Sequence, residues 1–173
     1  AENGDIFVAD GEGPNNRIVK FSSAGRYLTE WGTTGSGPGQ FSTPHDLAID
    51  SQGRLFVGDR GNSRIQIFEP DGTFVAEWRN FGRPSGIYIN RATDTLYATD
   101  STSNSSTNPG VRRGIYIGSA RTGELQYFVP DPDLELADHT RISGASGITS
   151  SHDDSVIYAA DVAPFQLRKY QRR

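Results

Sequence analysis

Pro44-His45-Asp46-Leu47-Ala48-Ile49-Asp50, Arg54-Leu55-Phe56-Val57-Gly58-Asp59, Arg64-Ile65-Gln66-Ile67-Phe68 and Thr73-Phe74-Val75-Ala76-Glu77-Trp78 follow one another between residues 44 and 78. Each run is short, apolar and bounded by turn residues, which predicts four strands and no helix. Ser51-Gln52-Gly53 turns the chain, Asp59 to Ser63 forms a polar loop, and Glu69-Pro70-Asp71-Gly72 places Pro, Asp and Gly where a tight turn needs them. Pro44 stands before the first strand, where its missing N–H costs no ladder bond.

The same pattern recurs on both sides. Ile6-Phe7-Val8-Ala9-Asp10, Leu96-Tyr97-Ala98-Thr99-Asp100 and Ile157-Tyr158-Ala159-Ala160-Asp161 repeat the second strand with its terminal Asp. Arg17-Ile18-Val19-Lys20-Phe21, Arg113-Gly114-Ile115-Tyr116-Ile117 and Leu167-Arg168-Lys169-Tyr170 repeat the third. A repeat of roughly forty residues built from short strands is the signature of a β-propeller blade. The fold class expected is therefore all-β: a propeller of four-stranded blades, with about four blades at residues 1–43, 44–83, 84–144 and 145–173 of one domain, 1–173. Three, four, four and three strands are expected in turn, because the first blade lacks an inner strand and the last an outer one. Three explanations stay open: a piece of a longer propeller, copies pairing through open edges, or a closed four-bladed ring with two strands from elsewhere. The reading adopted is the first for the gene, with edge-to-edge pairing of the expressed protein.

Composition bounds the function. The 173 residues hold 20 glycines, 9 prolines and 34% apolar residues, with the apolar ones gathered in the strands. The net charge of −4 argues against a nucleic-acid partner, and no run of about twenty apolar residues is present to span a membrane. The basic Arg168-Lys169 and Arg172-Arg173 read as solubilising charge. No cysteine is present, so disulfides and thiolate metal sites are excluded. Residue 1 is Ala and no Met occurs, so an initiator or longer N-terminal part is expected upstream.

Asp10, Asp59, Asp100 and Asp161 recur in every blade and read as caps for loop N–H groups. Arg17, Arg64 and Arg113 open the third strands as partners for those acids, and Trp31 and Trp78 read as inter-blade packing. His45 sits at an inner-strand head, either as a channel-facing metal or substrate ligand or as a channel His bonded to a neighbouring blade's backbone. Asp46 beside it orients the ring or caps the turn. Arg60 is the candidate anion clamp at the channel mouth, with an ion pair to Asp10 or Asp59 as the structural alternative. Ser85 and Ser146 occupy the position of His45, and without a nucleophile elbow neither is given a nucleophilic role. His139 and His152, with Asp138 and Asp153-Asp154, read as solvated loop residues. Asp131, Asp133, Glu135 and Asp138 read as an acidic surface loop rather than a calcium site. The Ser-, Thr- and Asn-rich loop Ser101 to Arg112 reads as mobile.

Asn16-Arg17-Ile18-Val19-Lys20-Phe21-Ser22, Trp31-Gly32, Gly37-Pro38-Gly39-Gln40-Phe41 and Pro44-His45-Asp46-Leu47-Ala48-Ile49-Asp50 resemble NHL-repeat propellers over nearly the whole chain. More narrowly, Val8-Ala9-Asp10-Gly11 through Phe68 resembles the peptidyl-α-hydroxyglycine α-amidating lyases (peptidylamidoglycolate lyases) and their bacterial relatives. Arg113-Gly114-Ile115-Tyr116-Ile117-Gly118-Ser119-Ala120 resembles the late blades of bacterial NHL-type proteins. The resemblance implies a six-bladed fold of which this chain matches the C-terminal four blades. It implies a zinc held by three His at alternate inner-strand heads, of which His45 is one, while Ser146 stands where a second is expected. It implies a Tyr after the Asp-Gly of a second strand, yet Asp10-Gly11 is followed by Glu12. The lyases' Asp-Arg pair is matched by Asp59-Arg60, whereas their catalytic Arg falls outside this chain. One imidazole does not hold a zinc ion, so lyase activity of this chain alone is not expected.

The function expected is a ligand- or protein-binding scaffold, with a protein, peptide or small-molecule ligand at the channel mouth. The alternatives are a metal-dependent lyase or hydrolase, with zinc or calcium as cofactor, His45 as metal ligand and Arg60 and Asp46 as catalytic candidates, and a structural unit that works only when assembled as a homo-oligomer through its open edges. Relatives of this kind are commonly exported, which points to an extracytoplasmic location.

Overall fold

Alternation of apolar residues becomes a stack of sheets because both faces of the middle strands are buried. In the computed structural model, which describes residues 1–132, 144–162 and 165–172, β1 (Ile6–Asp10), β2 (Arg17–Phe21) and β3 (Tyr27–Trp31) form the first sheet. A small parallel pair, β4 (Thr33–Thr34) and β5 (Gln40–Phe41), follows. The second sheet is β6 (Pro44–Ile49), β7 (Leu55–Asp59), β8 (Arg64–Phe68) and β9 (Phe74–Trp78). The third is β10 (Pro84–Asn90), β11 (Thr95–Asp100), β12 (Gly114–Ser119) and β13 (Leu125–Pro130), and the fourth is β14 (Ala145–Ser150), β15 (Val156–Asp161) and β16 (Gln166–Gln171). All four sheets are antiparallel meanders in chain order. The expected three, four, four and three strands are found among the described residues. The parallel pair was not foreseen.

The period of two assigns each face to a neighbour. In β7, Leu55 and Val57 pack towards the first sheet with Ile18, Phe41 and Phe68, while Phe56 packs towards the third with Ile65, Ile67, Ile87 and Leu96. In β11, Leu96 and Ala98 belong to that same interface, while Tyr97 turns to the fourth sheet with Ile115, Ile117 and Ala159. Each interface thus draws on two consecutive sheets, which is how propeller blades pack. Trp31 and Trp78 close two of the gaps: Trp31 lies 6.0 Å from Phe68 of the second sheet, and Trp78 packs against the Gly123 turn of the third. The inner strands β6, β10 and β14 line up side by side, with β1, the second strand of the first blade, against β6. Their approach is close enough that a Cβ at Gly11 would meet the Pro44 carbonyl oxygen at 2.2 Å, and one at Gly86 the Ser146 carbonyl oxygen at 2.2 Å. The outward faces of the terminal sheets stay exposed, Ile6 at 48%, Tyr27 at 57% and Leu167 at 69%.

Asp–Arg pairs join second and third strands as expected at Asp10 with Arg17 (2.9 Å) and Asp59 with Arg64 (2.8 Å); Asp161 pairs with Arg168, read from sequence as solubilising charge, and Arg113 donates Nη1 to the Ser101 carbonyl. Asp100 caps its loop, accepting from Thr102 N (3.1 Å) and Ser103 N (2.8 Å). The loop from Ser101 to Arg112 is tied down by bonds such as Thr107 Oγ1 to the Thr102 carbonyl, and Val111 packs on the core. Asp138 and His139, with Asp133 and Glu135 of the acidic loop, lie outside the described residues.

The turns at the opposite end of the sheets correct one expectation. Asp154 is not a solvated loop acid. Its carboxylate accepts from Asn90 Nδ2 (2.7 Å), Thr93 Oγ1 (2.5 Å), Thr95 Oγ1 (2.9 Å), Tyr97 Oη (2.8 Å) and Ser150 Oγ (2.7 Å), and so ties the fourth blade to the third. Asp94 does the same one blade earlier, accepting from Ser51 Oγ at 2.7 Å. Both stand at positive φ, +57° and +52°, at turn positions matching Gly53 of the second blade, a conformation Asp tolerates better than most residues. Burial works to raise the Asp154 pKa, but the donors of Thr93, Asn90, Ser150 and Tyr97 outweigh it and hold the carboxyl below its ordinary value. A carboxyl depressed in the fold contributes stability above the unfolded pKa of about 3.9, and that contribution is lost as pH falls through the folded value. Asp154→Ala should cost about 2 kcal/mol at neutral pH, and the gap from the parent should narrow below about pH 4. Urea titrations across that range check both; a gap that is constant with pH contradicts the assignment.

Candidate functional site

The register of three inner strands slips at the same place. β6 skips His45 between Pro44 and Asp46, β10 skips Ser85 between Pro84 and Gly86, and β14 skips Ser146 between Ala145 and Gly147. A bulge of this kind frees the extra residue from the ladder and re-aims its side chain. The three residues that sequence placed at blade heads are thus the bulged residues, gathered at one end of the inner strands.

They are joined to one another. His45 Nδ1 donates to the Ser85 main-chain carbonyl at 2.5 Å. Ser85 Oγ lies 2.8 Å from Ser101 Oγ, which lies 3.2 Å from Ser146 Oγ, so hydroxyls bridge the third and fourth blades. The His45 Nε2 atom faces Glu12 Oε1 at 3.3 Å, an ion pair whenever the ring carries its second proton. The Asp46 carboxylate does not orient the ring. It accepts from Leu47 N (2.8 Å) and Ile87 N (2.9 Å), pinning the second inner strand to the third. Burial raises its pKa against those two bonds, and with both oxygens held by backbone it is a framework residue.

Arg60 also corrects an expectation. Asp10 and Asp59 are taken by Arg17 and Arg64, so Arg60 turns instead to Glu12, with Nη2 2.8 Å from Oε1. Its Nε is buried without a hydrogen-bond partner. Arg83, which the sequence reading did not single out, stands at the head of the next blade. Its Nη1 donates to Thr102 Oγ1 at 2.6 Å. Burial lowers its pKa and the positive charge of Arg60 lowers it further, against a smaller pull from Asp100. The signal for Arg83 was its place directly before Pro84, at the head of an inner strand. Glu12 had registered only as a missing Tyr.

The metal implied by the lyase resemblance does not fit these residues. One imidazole and one exposed carboxylate converge, the equivalent heads carry hydroxyls, and among the described residues no group of three His, Cys, Asp or Glu is placed to hold an ion. Zinc takes three or four such ligands, and calcium six to eight oxygens.

A family model of the NHL repeat matches residues 41–68, the segment that runs through β6, β7 and β8. The chain carries an NHL repeat and folds as a β-propeller. Human NHL repeat-containing protein 3 is 44% identical over 81 residues, which are 46% of this chain and 23% of that protein. Peptidyl-glycine alpha-amidating monooxygenase B of Xenopus laevis is 32% identical over 166 residues, 91% of this chain and 18% of that protein. The chain therefore spans less than a quarter of the length of either relative. Among solved structures, hydrazine synthase of Kuenenia stuttgartiensis superposes with a TM-score of 0.67 at 14% identity, covering 97% of this chain and 43% of the other. The WD40 repeats of RRP9 superpose at 0.60 and 19% identity, covering 98% and 48%. These likenesses concern the fold, and no helix of the described residues is long and apolar enough to cross a membrane.

Proposed function

We propose that the NHL-repeat propeller is a binding scaffold whose contact face is the channel mouth at the bulged blade heads. The observation that carries this reading is the bonding of those heads into the frame: His45 to Ser85, and Ser85 through Ser101 to Ser146. Side chains engaged in this way shape a surface and leave recognition to the loops beside them. Fragment and peptide screening by amide chemical-shift mapping tests it. Ligands should move the signals of Gly11 to Asn16, Arg60 to Asn62 and Ser101 to Asn104. A panel that moves nothing, or moves only the turns at Gly53, Asp94 and Asp154, overturns it.

A lyase-like activity is the second reading, supported by the 32% identity to the Xenopus laevis enzyme across most of this chain. Stoichiometric zinc or calcium in the purified protein would favour it, and the residues at the mouth speak against it. Pairing of copies through the exposed terminal sheets is compatible with the scaffold reading and would appear in light scattering as a mass above that of one chain.

A further inference from the structure

We propose that the open edge of β16 and the groove beside it form a strand-acceptor site for an extended segment of a partner protein. That segment carries an aromatic residue followed three and four positions later by Glu and Trp. The site lies at the outer edge of the fourth sheet, away from the mouth, and stands independently of the scaffold reading.

Among the described residues β16 pairs with β15 alone. Its other side presents the row of N–H and C=O groups to which an extended peptide adds. In the second and third sheets that side of the third strand carries a fourth strand, β9 or β13. Beside β16 lies a groove of about 310 Å³ between the third and fourth sheets, walled by Ile117, Tyr127 and Val129 on one side and by Ile157 and Tyr170 on the other. The register shows what fills the corresponding space in the second blade. Tyr170 stands opposite Ile157 as Phe68 stands opposite Leu55. Phe68 is paired in turn with Phe74 of β9, with ring centroids 5.8 Å apart, and Phe74 packs into the interface with the first sheet. The groove beside Tyr170 is therefore the place of a Phe74, and Tyr27 holds the same place opposite Phe21 in the first blade.

The same ladders specify the acid and the Trp. Glu30 is paired with Val19, and Glu77 with Gln66. The matching position of β16 is Arg168, opposite Ala159 as Gln66 is opposite Val57. In the first two blades the outer-strand Glu joins an Arg that already holds the Asp of the second strand: Arg17 serves Asp10 and Glu30, and Arg64 serves Asp59 and Glu77. Arg168 holds Asp161, so an incoming Glu opposite it repeats an arrangement this chain uses twice, with charges of opposite sign brought together. One position further, Trp31 covers Ile18 and Trp78 covers Ile65, and both isoleucines are fully buried, whereas their counterpart Leu167 is 69% exposed. Tyr27-Leu28-Thr29-Glu30-Trp31 and Phe74-Val75-Ala76-Glu77-Trp78 thus spell out the segment that fits. Both are committed to their own sheets, with Trp31 against Phe68 and Trp78 against the Gly123 turn. Lending either to a second copy would dismantle a blade, which leaves a separate partner chain as the occupant.

The test titrates the whole chain into a fluorescently labelled peptide copied from residues 72–80, Gly-Thr-Phe-Val-Ala-Glu-Trp-Arg-Asn. Anisotropy reads the affinity and amide exchange locates the peptide. Binding should saturate, and exchange should slow over β16 and not over β1 to β3. Replacing the peptide's Glu by Gln should weaken binding about tenfold, the effect of losing one charge-assisted bond. Replacing its Phe by Ala should weaken binding about tenfold or more through lost burial. A peptide N-methylated at alternate backbone nitrogens on its pairing side should not bind, because main-chain bonds carry the affinity of an added strand. On the protein, Tyr127→Ala alters an exposed wall of the groove and should weaken the peptide about fivefold while the urea midpoint stays in place. Absence of saturation at millimolar peptide, binding that survives N-methylation or ignores the Glu and Phe replacements, or protection of β3 in place of β16 each overturns the proposal. So does a dimer in sedimentation that protects β16 without peptide, which would seat a second copy in the groove. The loops at Gly11 to Asn16 and Arg60 to Asn62 should stay silent in this titration, so failure at the groove leaves the reading of the mouth untouched.

Discussion

Arg64→Met should lower the unfolding free energy by about 3–5 kcal/mol, the usual result of removing one partner of a buried ion pair. Arg64 is almost wholly buried and uses every arm of its guanidinium. Nε donates to Asp59, Nη1 to the Ser36 carbonyl and to Glu77, and Nη2 to the Gly37 and Gln40 carbonyls. Three of these acceptors belong to the connection between the first and second blades. Methionine fills a similar volume but leaves those carbonyls, and a buried Asp59, short of a donor. Asp59 keeps Ser42 N, Asn62 and Gln66 as partners, so the fold should survive at reduced stability. Urea denaturation measures the loss. Replacing Asp59 by Leu in the same chain should recover part of it, because no uncompensated charge then remains. A loss under 1 kcal/mol would show that the network is not coupled to the global fold.

Phe68→Ala should cost a similar 3–5 kcal/mol through lost burial and the cavity left behind. The ring of Phe68 is fully buried and lies 5.7 Å from Phe41, 6.0 Å from Trp31 and 5.8 Å from Phe74. Those neighbours come from the first blade, the connection and the second blade, so the truncation loosens an interface rather than one sheet. Amide exchange should therefore accelerate over β1 to β3 more than over β10 to β13. Tyr27→Ala, on the open face of the first sheet, should stay within about 0.5 kcal/mol. Equal acceleration across all sheets after Phe68→Ala would mean that the blades do not open separately.

Much of the frame was legible because it obeys a short period. Leu55 to Asp59 and Leu96 to Asp100 alternate between two buried faces, their echoes Ile6 to Asp10 and Ile157 to Asp161 between a packed and a more exposed one, and a residue pattern with period two announces itself in any window of five. The Asp–Arg pairs were legible for the same reason, since they recur at fixed places in the repeat. The parallel pair of Thr33–Thr34 with Gln40–Phe41 was not. Two-residue strands carry no periodicity, and the segment between them, Gly35-Ser36-Gly37-Pro38-Gly39, reads as a loop; Arg64 and Gln66, far along the chain, hold it by reaching the Gln40 carbonyl. Asp154 was misread because its donors, Asn90, Thr93, Thr95 and Tyr97, lie some sixty positions away. At the mouth, His45, Ser85 and Ser146 were found by their place in the repeat. Glu12 and Arg83 were not, since Glu12 takes its meaning from Arg60 and His45 of the next blade and Arg83 from the Thr102 hydroxyl, contacts that follow from no spacing along the chain.

The slipped register at residues 45, 85 and 146 separates two tasks that most strands combine. The residue at each slip contributes nothing to the ladder on either side, so exchanging its side chain leaves the sheet intact. A lineage could therefore rewrite the chemistry at this opening, imidazole to hydroxyl or back, one blade at a time, without passing through an unfolded intermediate.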